Sequence, residues 1–202
     1  LTFDDGPHPY YTEQLLALLK EENIHATFLY VGSQAQAYPD LVRFTADEGH
    51  TIGNHTFSHI NLTTLSDTDV RREIADCNEV LDSITGVWPR FFRPPGGNYD
   101  QRIIAIAGEE GCLTALWTAN SGDYAMTDPV ALRRKVVSRT GPGGIILLHS
   151  GIPATIDALP GIIADFRARG YRFVTLDELY PAPPVVDRVP VTPLPSDRNL
   201  LE

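Results

Sequence analysis

The sequence predicts an α/β fold, a distorted (β/α) barrel of about seven parallel strands with outer helices. Short apolar runs alternate along the chain with longer segments in which apolar residues recur at helical spacing. One run, residues 144–149, is almost entirely apolar, which is typical of a parallel strand covered on both faces. An open, doubly wound sheet is the second choice, although the chain contains neither a Gly-x-Gly-x-x-Gly motif nor a Walker phosphate loop.

The first half of the chain predicts three strands, each followed by a helix. The strands lie at residues 1–3, 26–32 and 51–54, and the helices lie at residues 12–22, 39–49 and 66–86. The third helix has the clearest pattern, because its apolar residues repeat at intervals of 4-3-4-3. Ser66, with acidic Asp69 in the first turn, marks the beginning of this helix, and Gly86 marks its end.

The second half continues the alternation. Strands are predicted at residues 91–93, 113–117, 144–149 and 172–176, and helices at residues 100–110, 128–140 and 156–169. Asp128 followed by Pro129 is typical of a helix beginning. These elements predict a single domain over residues 1–180, and the prolines that recur from Pro181 onward predict an extended tail or linker over residues 181–202.

Composition limits the possible functions. The 202 residues suit one domain with a sizeable core, and the net charge of −10 argues against nucleic-acid binding, which needs clustered Lys and Arg. No apolar run reaches the roughly 18–20 residues of a transmembrane helix. Cys77 and Cys112 are interpreted as small buried apolar residues, with a disulfide as the alternative. Because the first predicted strand begins at Leu1, we expect the sequence to be a fragment of a longer protein.

Two adjacent carboxylates and a pair of histidines follow two of the predicted strands. Asp4 and Asp5 end the first strand, and His55 and His59 come directly after the third. On one helical turn, histidines four residues apart face the same way, and two imidazoles with one carboxylate leave an open coordination position on a metal ion. Successive strand residues point to opposite faces, so one aspartate would bind the metal while the other reaches an attacking water. The plain alternatives are a turn-forming pair of aspartates and surface histidines.

Three further charged or titratable residues lie at or after strand ends. Arg93 ends the fourth strand, where a buried guanidinium needs an anion, and Asp4 is a candidate partner. His149 ends the most apolar strand and can donate a proton to a leaving group, with Asp123 placed to orient it. Taken singly, Arg93 has an ordinary ion pair and His149 a core position as plain alternatives. Together with the metal-ligand candidates, these residues indicate metal-assisted acyl hydrolysis.

Four motifs, in their order and spacing, resemble those of the polysaccharide deacetylases, the NodB-homology domains of carbohydrate esterase family 4. They are residues 2–7 (Thr-Phe-Asp-Asp-Gly-Pro), 55–59 (His-Thr-Phe-Ser-His), 93–97 (Arg-Pro-Pro-Gly-Gly) and 147–149 (Leu-Leu-His). The resemblance covers about residues 1–180. It implies a distorted (β/α) barrel that removes acetyl groups from glycan polymers such as peptidoglycan, chitin oligomers or acetylxylan.

The resemblance also implies a metal site and a general base. Asp5, His55 and His59 would hold one divalent ion. Asp4 would be the general base, and Arg93 would tether it. Nitrogen and oxygen ligands favour Zn²⁺, with Co²⁺, Ni²⁺ or Mn²⁺ as alternatives.

The resemblance also implies the remaining roles, and at two of these positions the residue differs from the one usual in the family. His149 would be the general acid with Asp123 behind it, and Leu147 would line the pocket for the acetyl methyl group. Gly96 stands where the third motif usually has Tyr, but glycine keeps the backbone N–H that would help to hold the oxyanion. Tyr124 stands where the family usually has Trp, so it keeps an aromatic wall and adds a hydroxyl group.

The resemblance further implies an acetylated glycan as partner and a location outside the cell or at its surface, because such polymers lie there. Thr118 and Asn120 stand where acidic residues are common, which affects substrate preference more than mechanism. Two other functions stay open. One is an inactive relative that only binds carbohydrate, and the other is a metal-dependent amidohydrolase with a different substrate.

Overall fold

The computed structural model describes residues 1–182 and confirms the parallel α/β architecture. The strands are β1 (Thr2–Gly6), β2 (Thr27–Tyr30), β3 (Thr51–Asn54), β4 (Phe91–Phe92), β5 (Leu113–Thr114), β6 (Ala119–Asn120) and β7 (Ile146–His149). All pair in parallel in one curled sheet with the order β5-β4-β3-β2-β1-β7-β6, which forms part of a barrel. Residues 183–202 of the predicted tail lie outside the described residues.

Helices cover the outer face of the sheet. They are α1 (Thr12–Glu21), α2 (Gly32–Ala37), α3 (Pro39–Asp47), α4 (Asp67–Thr85), α5 (Gln101–Glu109), α6 (Pro129–Arg139), α7 (Pro153–Ala168) and α8 (Leu176–Leu179). The predicted limits of α4 are confirmed, because Ser66 accepts a hydrogen bond from the Asp69 N–H and Gly86 adopts a left-handed conformation. Asp128 likewise caps α6, with Pro129 in the first turn. Among the described residues, no helix combines the length and apolar content needed to cross a membrane.

Apolar side chains pack on both sides of the sheet. The larger cluster lies between the sheet and the helices, and it includes Phe3, Phe28 and Leu148 from the strands. A smaller cluster formed by Phe91, Ala115, Ile145 and Leu176 is separate from it. Because side chains alternate along a strand, Thr2 and Asp4 face away from the larger cluster that contains Phe3. Cys77 and Cys112 are buried free thiols, as the first of the two interpretations expected.

The two edge strands are consecutive in sequence, and the chain between them spans the gap in the barrel. The N–H of Ala115 donates to the carbonyl oxygen of Phe92 in β4, and the N–H of Thr118 donates to that of Ile145 beside β7. Residues 115–118 therefore pass from one edge of the sheet to the other without a helix. The predicted strand over residues 113–117 pairs with β4 only at Leu113 and Thr114, and β6 was not predicted.

The predicted last strand, residues 172–176, is wrong. Thr175 and Glu178 form a capping box that begins α8, and Leu176 joins the smaller apolar cluster. Phe173 packs against Phe166 in the larger cluster, so the alternating apolar residues serve two different cores. The Thr-x-x-Glu spacing was the available signal for a helix. The short helix α2 was also missed, and α7 begins at Pro153 instead of Ile156.

Candidate active site

The carboxyl ends of β1, β3, β4 and β7 meet at one edge of the sheet and carry the candidate residues. In the register of β1 with β7, Asp4 lies opposite His149. β3 leads directly into His55, and β4 leads into Arg93. A cavity of about 460 Å³ lies at the other ends of β1 and β7, where its lining includes Ile146 and Phe173. Among the described residues, the group of carboxylate and imidazole side chains that could hold a metal ion lies at the carboxyl ends, so we place the candidate site there and not in that cavity.

Asp5, His55 and His59 form a cluster that fits one metal ion. Asp5 Oδ1 lies 3.3 Å from His55 Nε2 and 3.1 Å from His59 Nε2, and one ligand atom from each residue lies within 4.8 Å of the others. Two ligands at the usual ~2.1 Å from a common Zn²⁺ would be roughly 3–3.5 Å apart. His55 Nδ1 lies 2.7 Å from the carbonyl oxygen of Arg93, so Nδ1–H donates there and the Nε2 lone pair faces the cluster.

The histidine pair lies on a loop, so the expected helical turn is wrong. Thr56 and His59 have φ angles of 65° and 55°, in the left-handed region that ordinary residues rarely adopt. Asp5 has a φ of 68°. Three of the four non-glycine residues with positive φ in the described chain therefore belong to this cluster or its loop. Such conformations persist only where surrounding contacts enforce them, and they are typical of functional sites.

Side chains from α4 and β3 supply those contacts, and sequence reasoning missed them. Asn54 Oδ1 accepts the N–H of Thr56 at 2.7 Å, and its amide donates to Asn78 Oδ1 at 2.7 Å. The two carboxylate oxygens of Glu73 accept the N–H and the hydroxyl of Ser58 at 2.8 Å and 2.9 Å. Asn78 offered a signal, because it is a polar residue on the otherwise apolar buried face of α4.

Asp4 and Arg93 form a buried ion pair. Arg93 Nη1 donates to Asp4 Oδ1 at 2.7 Å, and the two residues are 0% and 2% exposed. The guanidinium also donates to Thr2 Oγ1 and to the carbonyl oxygen of Ala115, each at 2.8 Å. The second oxygen, Asp4 Oδ2, lies 3.8 Å from His55 Nε2 and so faces the metal-ligand cluster. The pairing suggested by the sequence is present, while the contribution of Thr2 was missed.

His149 and Asp123 form a second buried pair. His149 Nδ1 lies 2.6 Å from Asp123 Oδ1, and the backbone N–H of His149 donates to Asp123 Oδ2 at 2.8 Å. Thr155 from α7 donates to the same Oδ2 at 2.6 Å. The hydrogen bond to Asp123 holds the proton on Nδ1 and leaves Nε2 as the other functional nitrogen. Thr155 carried no recognisable signal in the sequence.

The electrostatics of the site favour the ionised forms of Asp5 and Asp123. Partial burial opposes the charge of Asp5, but its close contacts with the His55 and His59 imidazoles outweigh this and hold the pKa of Asp5 well below its ordinary value. The pKa of Asp123 is also lowered, because hydrogen bonds from His149 and then Thr155 outweigh its burial. An ionised Asp5 is the form that binds a cation.

The same contacts raise the pKa of two histidines. The hydrogen bond to Asp5 raises the pKa of His59. Burial alone would lower the pKa of His149, but its hydrogen bond to Asp123 and the charges of nearby carboxylates outweigh burial and raise it. A metal ion competes with the proton for His59 Nε2, so metal binding there depends on pH.

Three other predicted residues surround this centre. Gly96 has a φ of 64° in the turn after Arg93, and a Cβ there would lie only 2.8 Å from Asn98 Nδ2. Leu147 is buried on β7 between two residues of the larger apolar cluster, so by alternation it faces the other side of the sheet. Tyr124 is 67% exposed, and its ring meets the His149 ring edge-on at 5.7 Å.

Comparison with known proteins agrees with this arrangement. A family model described as polysaccharide deacetylase matches residues 1–114. A peptidoglycan-N-acetylglucosamine deacetylase of Bacillus cereus is 37% identical over 187 residues, which cover 89% of this chain and 86% of the relative. This chain belongs to the polysaccharide deacetylase family. The resemblance noted in the sequence is therefore confirmed.

Solved structures of the polysaccharide deacetylase family share the fold. A peptidoglycan N-acetylglucosamine deacetylase superposes with a TM-score of 0.86 and 35% identity, covering 88% of this chain and 85% of the other. A mutant of a pseudoenzyme of the CE4 family, described as having restored enzymatic activity, has a TM-score of 0.85 and 29% identity, covering 88% of this chain and 65% of that chain. The fold of this family therefore occurs in both active and inactive proteins.

Proposed function

We propose that this chain hydrolyses acetyl groups from an N-acetylated cell-wall glycan in a metal-dependent reaction, with peptidoglycan as the first candidate substrate. The observation that carries the proposal is the convergence of three groups at one edge of the sheet. They are the Asp5, His55 and His59 cluster, the tethered Asp4 and the oriented His149. Relatives named as peptidoglycan deacetylases support the choice of polymer.

Asp5, His55 and His59 would hold the metal ion, and their nitrogen and oxygen donors favour Zn²⁺, with Co²⁺, Ni²⁺ or Mn²⁺ as alternatives. Three protein ligands leave coordination positions open, so a bound ion would supply Lewis-acid polarisation of the acetyl carbonyl and acidification of a water molecule. The lowered pKa of Asp5 keeps its carboxylate available for this task. The Arg93 carbonyl holds the tautomer of His55 that directs Nε2 to the ion.

The protein's own groups would then move two protons. Asp4 Oδ2 takes a proton from the attacking water, while Arg93 holds the other oxygen, Oδ1, at 2.7 Å and so fixes the orientation of the carboxylate. As the acetyl carbon becomes tetrahedral, the backbone N–H of Gly96 donates a hydrogen bond to the developing oxyanion. His149 Nε2 protonates the leaving amine nitrogen, and the C–N bond breaks to give acetate and a free amino sugar.

The acetyl group and the sugar need surfaces as well as reacting groups. Leu147 lies two residues before His149 on β7, so by alternation it faces the same side of the sheet and would contact the acetyl methyl group. The exposed ring of Tyr124 lies beside His149 and would contact the sugar next to the leaving nitrogen. Because the relatives are named for peptidoglycan, we also propose that the protein works outside the cell or at its surface.

The competing function is carbohydrate binding without catalysis. A solved structure with this fold is described as a pseudoenzyme of the CE4 family, so this alternative has a precedent. Here every group needed for the reaction is present, and the two proton-transfer residues each have a charged partner within 2.7 Å. Glycan binding alone does not require a carboxylate that is buried against an arginine beside a metal-ligand cluster. The arrangement therefore favours catalysis.

The test is acetate release by the metal-stripped protein before and after addition of Zn²⁺ or Co²⁺. Peptidoglycan, N-acetylglucosamine oligomers and acetylxylan are compared, together with a simple acetamide. We expect release from at least one N-acetylated glycan only when metal is present, and loss of release in Asp5→Ala. Glycan binding without acetate release would favour the inactive relative, and release from the acetamide alone would favour the amidohydrolase.

A further inference from the structure

We propose that Thr155 is a positioning residue that fixes the Asp123 carboxylate and, through it, the imidazole of His149. This inference rests on the proposed function, in which His149 donates the proton. It adds a residue of α7 that lies outside the motifs supporting that function, six residues after His149. The experiment below includes a measurement that does not require turnover.

The Asp123 carboxylate receives four hydrogen bonds. Oδ1 accepts from His149 Nδ1 at 2.6 Å and from the Tyr124 N–H at 3.0 Å. Oδ2 accepts from the His149 N–H at 2.8 Å and from Thr155 Oγ1 at 2.6 Å. A carboxylate offers about four lone-pair sites, so these donors occupy all of them and fix the plane of the group.

Of these four donors, only the Thr155 hydroxyl belongs neither to His149 nor to the residue next to Asp123 in sequence. Two belong to His149 itself and one to the adjacent Tyr124, whereas Thr155 is on the first turn of a 16-residue helix. Thr155 is fully buried, and its backbone N–H donates to the carbonyl oxygen of Ile152 at 3.1 Å. Its β-branched side chain has few rotamers, so the hydroxyl is held by the framework of the fold.

This contact affects the proton donor in a specific way. The hydroxyl of Thr155 holds Oδ2, and the same carboxylate then presents Oδ1 to His149 Nδ1 at a fixed angle. Nδ1–H is thereby directed at Asp123, so Nε2 faces the substrate and carries the second proton when the ring is an imidazolium. Without the hydroxyl, Oδ2 of this buried, charged carboxylate keeps only the backbone N–H of His149 as a donor. The group can then tilt towards its remaining partners, and the bond to His149 weakens.

The experiment compares Thr155→Val, which removes the hydroxyl at constant shape, with Thr155→Ser, which keeps it. Thr45→Val is the matched control, since Thr45 is a fully buried helical threonine whose hydroxyl bonds to Leu41 and Tyr30 away from the site. We expect kcat for acetate release from an N-acetylglucosamine oligomer to fall about 10- to 100-fold in Thr155→Val, as for a lost charge-assisted hydrogen bond. KM should stay nearly unchanged, and Thr155→Ser and Thr45→Val should be close to wild type.

Proton NMR of the folded protein gives the second measurement. The strongly deshielded resonance of the His149 Nδ1 proton should be present in wild type and Thr155→Ser, and shifted or lost in Thr155→Val. Unchanged kcat in Thr155→Val, or a loss in Thr155→Ser as large as that in Thr155→Val, would overturn the inference. If the wild type released no acetate, the proposed function would fail. The NMR comparison would still decide on Thr155, because a resonance that persists in Thr155→Val contradicts its positioning role.

Discussion

Asp4 and Asp5 are neighbours in sequence but lie in different environments. Asp4 is 2% exposed and paired with Arg93, whereas Asp5 is exposed, has a left-handed backbone and contacts two imidazoles. The left-handed backbone of Asp5 coincides with a shift in the register of β1 against β2 between Phe3 and Gly6, so the regular strand geometry is interrupted at this point. This difference at single residues is the basis for giving one the role of base and the other the role of ligand.

Replacing Asp4 with Asn tests the role of base. Asn has nearly the same shape but cannot take a proton from water, so we expect kcat to fall by about 10²- to 10⁴-fold. Binding of Zn²⁺, measured by calorimetry, should be nearly unchanged because the three proposed ligands remain. Circular dichroism at the assay temperature serves as the control for folding, since Arg93 loses its anion. Turnover near that of the wild type would show that Asp4 is not the base.

The pair of His149 and Asp123 predicts a pH dependence. His149 must be protonated to act as an acid, and its pKa lies above the ordinary value of about 6.5. Activity should therefore persist above that pH and decline as pH rises through the raised pKa. Asp123→Asn removes the main charge that raises it, so the alkaline limb should move to lower pH, in addition to a lower maximal rate.

The measurement is the pH profile of kcat at saturating metal for the wild type and Asp123→Asn. Asp4 and Asp5 also raise the pKa of His149 in both proteins, and a bound cation would oppose this equally in both. The difference between the two pH profiles therefore reports the effect of Asp123 on the pKa of His149. An alkaline limb at the same pH in both would mean that a different group gives up the proton.

At the scale of elements, the loop after β3 is held by the helix that follows it. Asn54 and Asn78 fix the beginning of the loop, and Glu73 on α4 holds Ser58 next to His59. Backbone conformations that are unfavourable for threonine and histidine are stable here because these side chains satisfy the loop's N–H groups. The position of a proposed ligand thus depends on a helix that carries no ligand itself.

Glu73→Ala should weaken metal binding by about 10-fold, because outer contacts that orient a ligand typically affect affinity at this level or above. Isothermal titration of the metal-stripped protein with Zn²⁺ measures the change. Glu79→Ala is the matched control, since Glu79 lies on an exposed position of the same helix. Equal affinities in the two variants would show that the loop keeps its conformation without Glu73.

At the scale of the whole molecule, Arg93 links the candidate active site to the segment that crosses the gap in the barrel. Its guanidinium bonds to Thr2 and Asp4 on β1, and to the carbonyl oxygens of Ala115 and Leu116 in the segment that crosses the gap. The same residue therefore orients a proposed catalytic group and connects β1 to the segment that crosses the gap in the barrel. Stability and activity should depend on it together.

Arg93→Met should lower the free energy of unfolding by about 3–5 kcal/mol, because it leaves Asp4 buried without a counter-charge. Urea denaturation followed by circular dichroism measures the loss. In the double variant with Asp4→Asn no charge remains unpaired, so its loss should be smaller than the sum of the two single losses. Additive losses would mean that the pair is not coupled in the folded protein.

The sequence alone determined the class of the fold and most of the candidate residues. Apolar runs and helix caps such as Ser66, Asp128 and Gly86 act locally, so alternating strands and helices were readable with limits close to those observed. A parallel sheet places the carboxyl ends of its strands at one edge. Residues as distant as Asp5, His55 and His149 were therefore expected to meet.

The tertiary structure decided what depends on contacts between distant segments. The alternating residues 172–176 form no strand because Phe173 and Leu176 fill different cores, and Thr175 caps a helix instead. The loop of His59 departs from a helical turn because side chains of another element satisfy its backbone. Thr155 joins the site through a single hydrogen bond from α7. Such contacts come from the packing of whole elements, which the pattern of one segment does not contain.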